Sequence, residues 1–121
     1  MAKRAGHSLT FDIESRCEPI DQTYWADQAL TIFGQLFRGA TAFPPGRGVW
    51  RDDERGGALV YDDTQMVTSY AADGVFDEDE ILKRLKAFLL RMGREANQGE
   101  IGIIIDGTYL GIVDYEEGGS A

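Results

Sequence analysis

Leu9, Phe11 and Ile13 alternate with Thr10, Asp12 and Glu14, and this period of two predicts a first strand with one buried face, ended by Glu18-Pro19. From Asp21, a residue able to cap a helix, the period lengthens. Trp25, Ala29, Ile32, Phe33 and Leu36 recur at spacings of three and four and predict a helix running to about Phe37. Gly34 weakens that helix by about 1 kcal/mol relative to alanine, and Gly39 is placed to stop it in a left-handed conformation. Pro44-Pro45-Gly46 breaks the next stretch of chain, so Val49-Trp50-Arg51 is expected as a short edge strand. Residues 58–61 and 65–71 are strand-like on either side of Asp62-Asp63, which predicts an irregular hairpin with a bulge at the two aspartates.

A second helix is signalled more strongly. Asp77 and Glu80 have the spacing of a capping box, and Phe76 and Ile81 that of a hydrophobic staple. Ile81, Leu85, Phe88, Leu89 and Met92 supply the apolar stripe. Acidic residues lie at its start and Arg91 and Arg94 toward its end, as the helix dipole favours, and Gly93 or Gly99 is expected to end it. The run from Ile101 to Ile112 then carries Asp106-Gly107 at its centre, the strongest short hairpin signal in the chain. Ile103, Ile105 and Leu110 are expected to seal the core, leaving Gly102, Ile104, Tyr109 and Gly111 on the other face.

The order is strand, helix, strand, strand, helix, strand, with the last strand extended into a hairpin. It predicts an α+β protein with a ferredoxin-like βαββαβ sandwich, an antiparallel sheet carrying two helices on one face. A single domain over residues 8–115 is expected, with 1–7 and 116–121 as flexible termini.

The segments Phe37-Arg38-Gly39-Ala40-Thr41, Gly48-Val49-Trp50 and Asp62-Asp63 resemble the pattern of a loose group of small bacterial proteins: an aromatic-Gly-Gly helix end, a threonine, Gly-x-Trp, then an acidic pair. Arg38 stands where that pattern has its first glycine. The resemblance spans roughly residues 25–112 and implies the same ferredoxin-like fold; it brings no settled activity with it.

Composition bounds the function. The 121 residues are 43% hydrophobic and 11% aromatic, enough for one folded core. The formal net charge of −9 repels nucleic acid and anionic membrane, so neither is expected as a direct partner. Cys17 is the single cysteine, which leaves no disulfide to form within the chain. The opening residues lack the apolar stretch of a secretion signal, and no run approaches the ~20 apolar residues of a membrane span. The expectation is a cytoplasmic protein.

Four groups of residues could carry chemistry. Gly46-Arg47-Gly48 could cradle an anion with Arg47 and Arg51, or could simply be a turn needing positive φ; no helix comes after it, so the known phosphate-loop fingerprints do not apply. Trp50, near Arg51 and Tyr61, could line a pocket, anchor an interface or belong to the core. Asp12 and Glu14 share a strand face, and if Asp62 or Asp63 joined them an acidic cluster would form, as against an ordinary solvated sheet face. Lys83, Arg84, Lys86, Arg91 and Arg94 gather on the second helix, where Asp79 and Glu80 precede Lys83 and Arg84 by four residues, the spacing of a salt-bridged outer face. His7 is expected in a frayed terminus with nothing to bring it to Cys17, and one histidine with one cysteine is a poor zinc donor set. No catalytic residue, metal or cofactor is assigned.

Two functions are open to such a chain. The first is a non-catalytic interaction module, of accessory, inhibitor or immunity type, binding a protein partner or a second copy of itself through an open sheet face or edge, with Tyr109 and the closing hairpin involved. The alternative is a small enzyme or ligand binder of the dimeric α+β barrel type, with a pocket between sheet and helices lined by Trp50, Tyr61, Tyr70 and Asp12.

Overall fold

Alternation in the first strand and the cap at Asp21 both become structure. The computed structural model describes residues 6–14, 21–96 and 100–115. β1 (Gly6–Glu14) is followed by α1 (Gln22–Phe37), whose first turn is tied by the Asp21 carboxylate accepting from the Tyr24 N–H at 3.0 Å. The expected left-handed stop falls one residue early, on Arg38 (φ 74°), whose N–H donates to the Gly34 carbonyl. β2 (Ala40–Ala42) begins almost at once, and the Gly39 carbonyl accepts from Ser69 Oγ at 2.5 Å, so the chain has to turn before Gly39.

The stretch between the helices holds three strands rather than two. Pro44-Pro45 cannot donate to a ladder and separates β2 from β3 (Gly46–Asp52). Both pair with β4 (Ala58–Ala72), β2 along its second half and β3 along its first. The expected bulge at Asp62-Asp63 does not occur, and β4 runs unbroken for 15 residues. The reason is the partner strand. Asp62 lies opposite Gly48, where a Cβ would run into its carboxylate, and Asp63 lies opposite Arg47.

α2 (Asp79–Ala96) starts two residues after the expected cap, because residues 75–77 form a short 3₁₀ turn and Glu78 accepts the first helical bonds. Gly93 does not end it. It lies within the last turns, where the Tyr115 ring packs so closely that a Cβ would collide with it; Gly99 is outside the described residues. β5 (Ile101–Ile105) and β6 (Thr108–Ile112) close the chain.

The sheet order is β2–β4–β1–β5–β6, with β3 also on β4, and every pairing is antiparallel. One face of the sheet is covered. Leu9, Phe11, Ile13, Val67, Ala71, Ile101 and Ile103 meet the inner residues of α1 and α2 in one core. Leu110 is the exception to the expected seal: on the last strand it remains 49% exposed, and Ile101 takes the buried place instead.

Asp106 (φ 51°) and Gly107 (φ 82°) both adopt positive φ, the signature of a two-residue type I′ turn between Ile105 and Thr108. Gly107→Ala is therefore expected to cost about 1 kcal/mol, since a side chain at that angle is strained. A urea midpoint unchanged in the variant would exclude this turn.

Candidate functional site

The sheet's second face carries no helix. Backbone register places Thr41, Thr68, Thr10, Ile104 and Tyr109 side by side across five strands, a floor with three threonines on β2, β4 and β1 and larger side chains on β5 and β6. Tyr70 lies on one flank, 49% exposed, with its phenol crossing Gly6 so closely that a Cβ there would strike it. Tyr109 crosses Gly102 in the same way on the other flank, and its hydroxyl donates to Glu100 at 2.8 Å. At both places glycine is needed because an aromatic ring occupies the space of a side chain.

Below this floor the same face turns acidic. Asp12 is half-buried and accepts a hydrogen bond from the Thr64 hydroxyl. Asp62 lies two residues before Thr64 on β4, also half-buried, its carboxylate over Gly48. Trp50 stands one register step beyond, opposite Val60 and diagonal to Asp62, a separation an indole can bridge. In register Asp12 lies opposite Met66, four residues along β4 from Asp62, so the two carboxylates stand about 13 Å apart along the strands, and Asp62 is the one that neighbours Trp50. Among the described residues no group of three or more His, Cys, Asp or Glu side chains is arranged to hold a metal.

The structure divides the residues singled out in the sequence. Asp12, Asp62 and Trp50 share the open face, Tyr109 sits at its far edge, and Glu14 pairs with Thr64 in the backbone register. Asp63, Arg47, Arg51 and Tyr61 belong to the opposite face of the β3–β4 arm. There Arg47 lies over the Tyr61 ring at 5.1 Å, Arg51 pairs with Asp53 at 2.5 Å, and Tyr61 is 60% exposed. Trp50 and Tyr61 therefore do not line one pocket, and Gly46-Arg47-Gly48 is strand rather than an anion-binding loop. Thr41 and Thr68 complete the floor; only register, which a sequence does not display, groups them with Asp12.

His7 is not in a frayed end. It belongs to β1 opposite Ala71, with its ring 5.1 Å from that of Phe76. Its Nδ1 lies 2.6 Å from Asp106 Oδ2, while Ser8 N–H donates to Asp106 Oδ1 at 3.0 Å. Cys17 lies outside the described residues. The His7 hydrogen bond, then the Ser8 N–H, hold the Asp106 carboxyl below its ordinary value of 3.8. A depressed carboxylate contributes stability that is complete above its unfolded value and lost as pH falls through its folded one. The stability difference between wild type and Asp106→Asn should therefore shrink as pH drops below 3.8. Thermal melts across that range would show it, and a difference independent of pH would refute the clamp.

A shallow cavity of about 630 Å³ adjoins the threonine floor, shared by Thr41, Thr68, Ser69 and Tyr70 with Phe37 and the left-handed Arg38 at its rim. A second, of about 320 Å³, lies between the helices on the outer side. The first is bounded by the end of α1 at Phe37 and by β2 and β4 of the sheet, the second by the two helices. Among the described residues no helix is long and apolar enough to cross a membrane.

Comparison with known proteins adds the fold's relatives. No protein-family model matches the sequence, and no curated protein matches it either. Two solved structures of a phage SAM lyase are similar. The complex with S-methyl-5′-thioadenosine has a TM-score of 0.64 at 14% identity, and the apo form 0.60 at 13%; both alignments cover 94% of this chain and 95% of the other. At this identity the likeness is one of fold. It overturns the expectation of a non-catalytic interaction module in favour of the enzyme or ligand-binder alternative, because a protein that shares this fold over 95% of its length is a lyase.

Proposed function

We propose that the protein is a small enzyme acting on S-adenosylmethionine or a closely related sulfonium nucleoside, with the open sheet face as its site. The observation that carries this reading is the end-to-end likeness to phage SAM lyase, 94% of one chain on 95% of the other. We also read the fold as ferredoxin-like, with the strand after α1 broken in two by Pro44-Pro45.

The open face suits such a substrate. Tyr70 and Asp12 are offset by four residues in register, about 13 Å along the strands, the scale of an extended adenosyl amino acid. Tyr70 offers a ring for the adenine, and Thr41 and Thr68 offer hydroxyls for the ribose. Asp12 offers negative charge to the substrate's cationic end. Attack of the substrate's own carboxylate on the γ-carbon forms a C–O bond as the C–S bond breaks, so the bonding electron pair goes to sulfur and the products are a neutral thioether and an amino lactone. The protein's part is then to orient the substrate, and no general base is required of Asp12. The cavity of about 630 Å³ lies at the Tyr70, Thr41 and Thr68 end, where the nucleoside part would sit.

Incubation of the purified protein with S-adenosylmethionine, followed by chromatography, tests the reading. Accumulation of S-methyl-5′-thioadenosine above the spontaneous rate is expected. Absence of both turnover and saturable binding of the product would overturn it.

A further inference from the structure

The groove between the helices carries a second, separate site. α1 and α2 face each other through two cross-links. Arg84 Nη2 donates to Gln35 Oε1 at 2.7 Å, and Arg91 Nη2 donates to Gln28 Oε1 at 2.8 Å. The expected partner of Arg84, Glu80 one turn earlier, is not the group it meets. A salt-bridged outer face is thus replaced, at Arg84, by a guanidinium bonded to a neutral amide. Arg91 also approaches Glu95 at 3.4 Å and lies over the rings of Trp25 (5.2 Å) and Phe88 (5.9 Å), which fix its side chain from below.

Two cations in this position are conspicuous in a chain with nine excess negative charges. Arginine usually takes a carboxylate or phosphate oxygen where one is near, and its planar fork is shaped for both. Here each fork is steadied by a glutamine; at Arg84 the neutral amide orients the guanidinium without neutralising it, whereas Arg91 shares its charge with Glu95 at 3.4 Å. The two cross-links are seven residues apart on each helix, about 10 Å along the axis. Ile32 and Phe88 lie between them, so the cavity of about 320 Å³ has an apolar middle and a cation at either end.

The geometry points to a binding site for a small organic molecule that carries an oxyanion at both ends and an apolar segment between. The groove accepts it lengthwise, one anionic group on Arg84 and the other on Arg91, with the middle over Ile32. The site lies on the outer side of the helices, and the sheet separates it from Asp12 and Tyr70.

Calorimetric titration with the dicarboxylates from succinate to suberate tests it, with hexanoate as a one-ended control. One chain length should bind best, at least tenfold tighter than hexanoate, and more weakly as salt is added. Arg84→Gln should reduce that binding about tenfold or more while leaving the melting curve unchanged, since Arg84 is exposed and bonds the neutral Gln35 amide. Arg91→Gln should do the same, with the melting curve reporting its separate packing role. Asp12→Asn should leave the titration unaltered. No saturable binding by any member, equal binding of hexanoate, or affinity indifferent to Arg84→Gln would each overturn the proposal. So would tight binding of a helical peptide with two glutamates seven residues apart when no dicarboxylate binds, which would assign the groove to a protein partner.

Discussion

Phe33→Ala is expected to lower the unfolding free energy by about 3–5 kcal/mol, the usual cost of emptying a buried aromatic site. Phe33 is fully buried. Its ring lies 6.2 Å from Phe11 on the sheet, 6.3 Å from Phe88 on α2 and 5.8 Å from Phe37 on its own helix. One ring thus joins the sheet to both helices, and edge-on aromatic pairs add about 0.5–1.5 kcal/mol each beyond burial. The surrounding residues are held by backbone ladders and can collapse only in part, so a cavity remains. Domains of this size are stable by roughly 5–15 kcal/mol, and the variant should lose a third or more of that. Urea unfolding would read the loss as a lower midpoint at unchanged slope. A cost below about 1 kcal/mol would mean that helices and sheet do not meet at Phe33.

Under the proposed activity on S-adenosylmethionine, Asp12→Asn is expected to lower product release about tenfold to a hundredfold with the fold intact. A charge-assisted contact in a partly desolvated site is worth about 1.5–3 kcal/mol, and tenfold in rate corresponds to about 1.4 kcal/mol. Asparagine keeps the size of the side chain and can still accept from Thr64, so stability should hardly move. Asp63→Asn supplies the comparison, since it removes the same charge from the opposite face of the adjoining strand position. If both variants fell equally, bulk charge and not the site would be responsible. If Asp12→Asn kept the wild-type rate, the open face would not hold the substrate's cation.

Much of this architecture was legible because its signals are local. The alternation of Leu9, Phe11 and Ile13 with polar residues needs no knowledge of the rest of the chain, and Asp106-Gly107 announces its own turn. Errors arose where a distant residue decided the outcome. Two adjacent aspartates suggest an interruption until Gly48, on another strand, is seen to leave room for one of them. Asp106 was legible as a turn residue but not as the partner of His7, 99 positions away. Arg84 satisfied a helical ion-pair rule and yet bonds Gln35, 49 residues distant. The site shows the same division. Asp12 and Asp62 could be nominated as acids, but only the register of β1, β2 and β4 puts the threonines beside them.

The placement of β1 has a consequence for how the chain must acquire its structure. Its two neighbours are β4, which begins to pair with it at Thr64, and β5, whose first partner to Phe11 is Ile103. During synthesis this strand therefore emerges with both edges open and three large apolar side chains unshielded, and its second neighbour arrives only about ninety residues later. Pairings of such long sequence separation form slowly, and unpaired edges invite association between nascent chains. Chains halted before Ile101 should thus aggregate through β1, and release of the last hairpin should be the event that commits the protein to its native sheet.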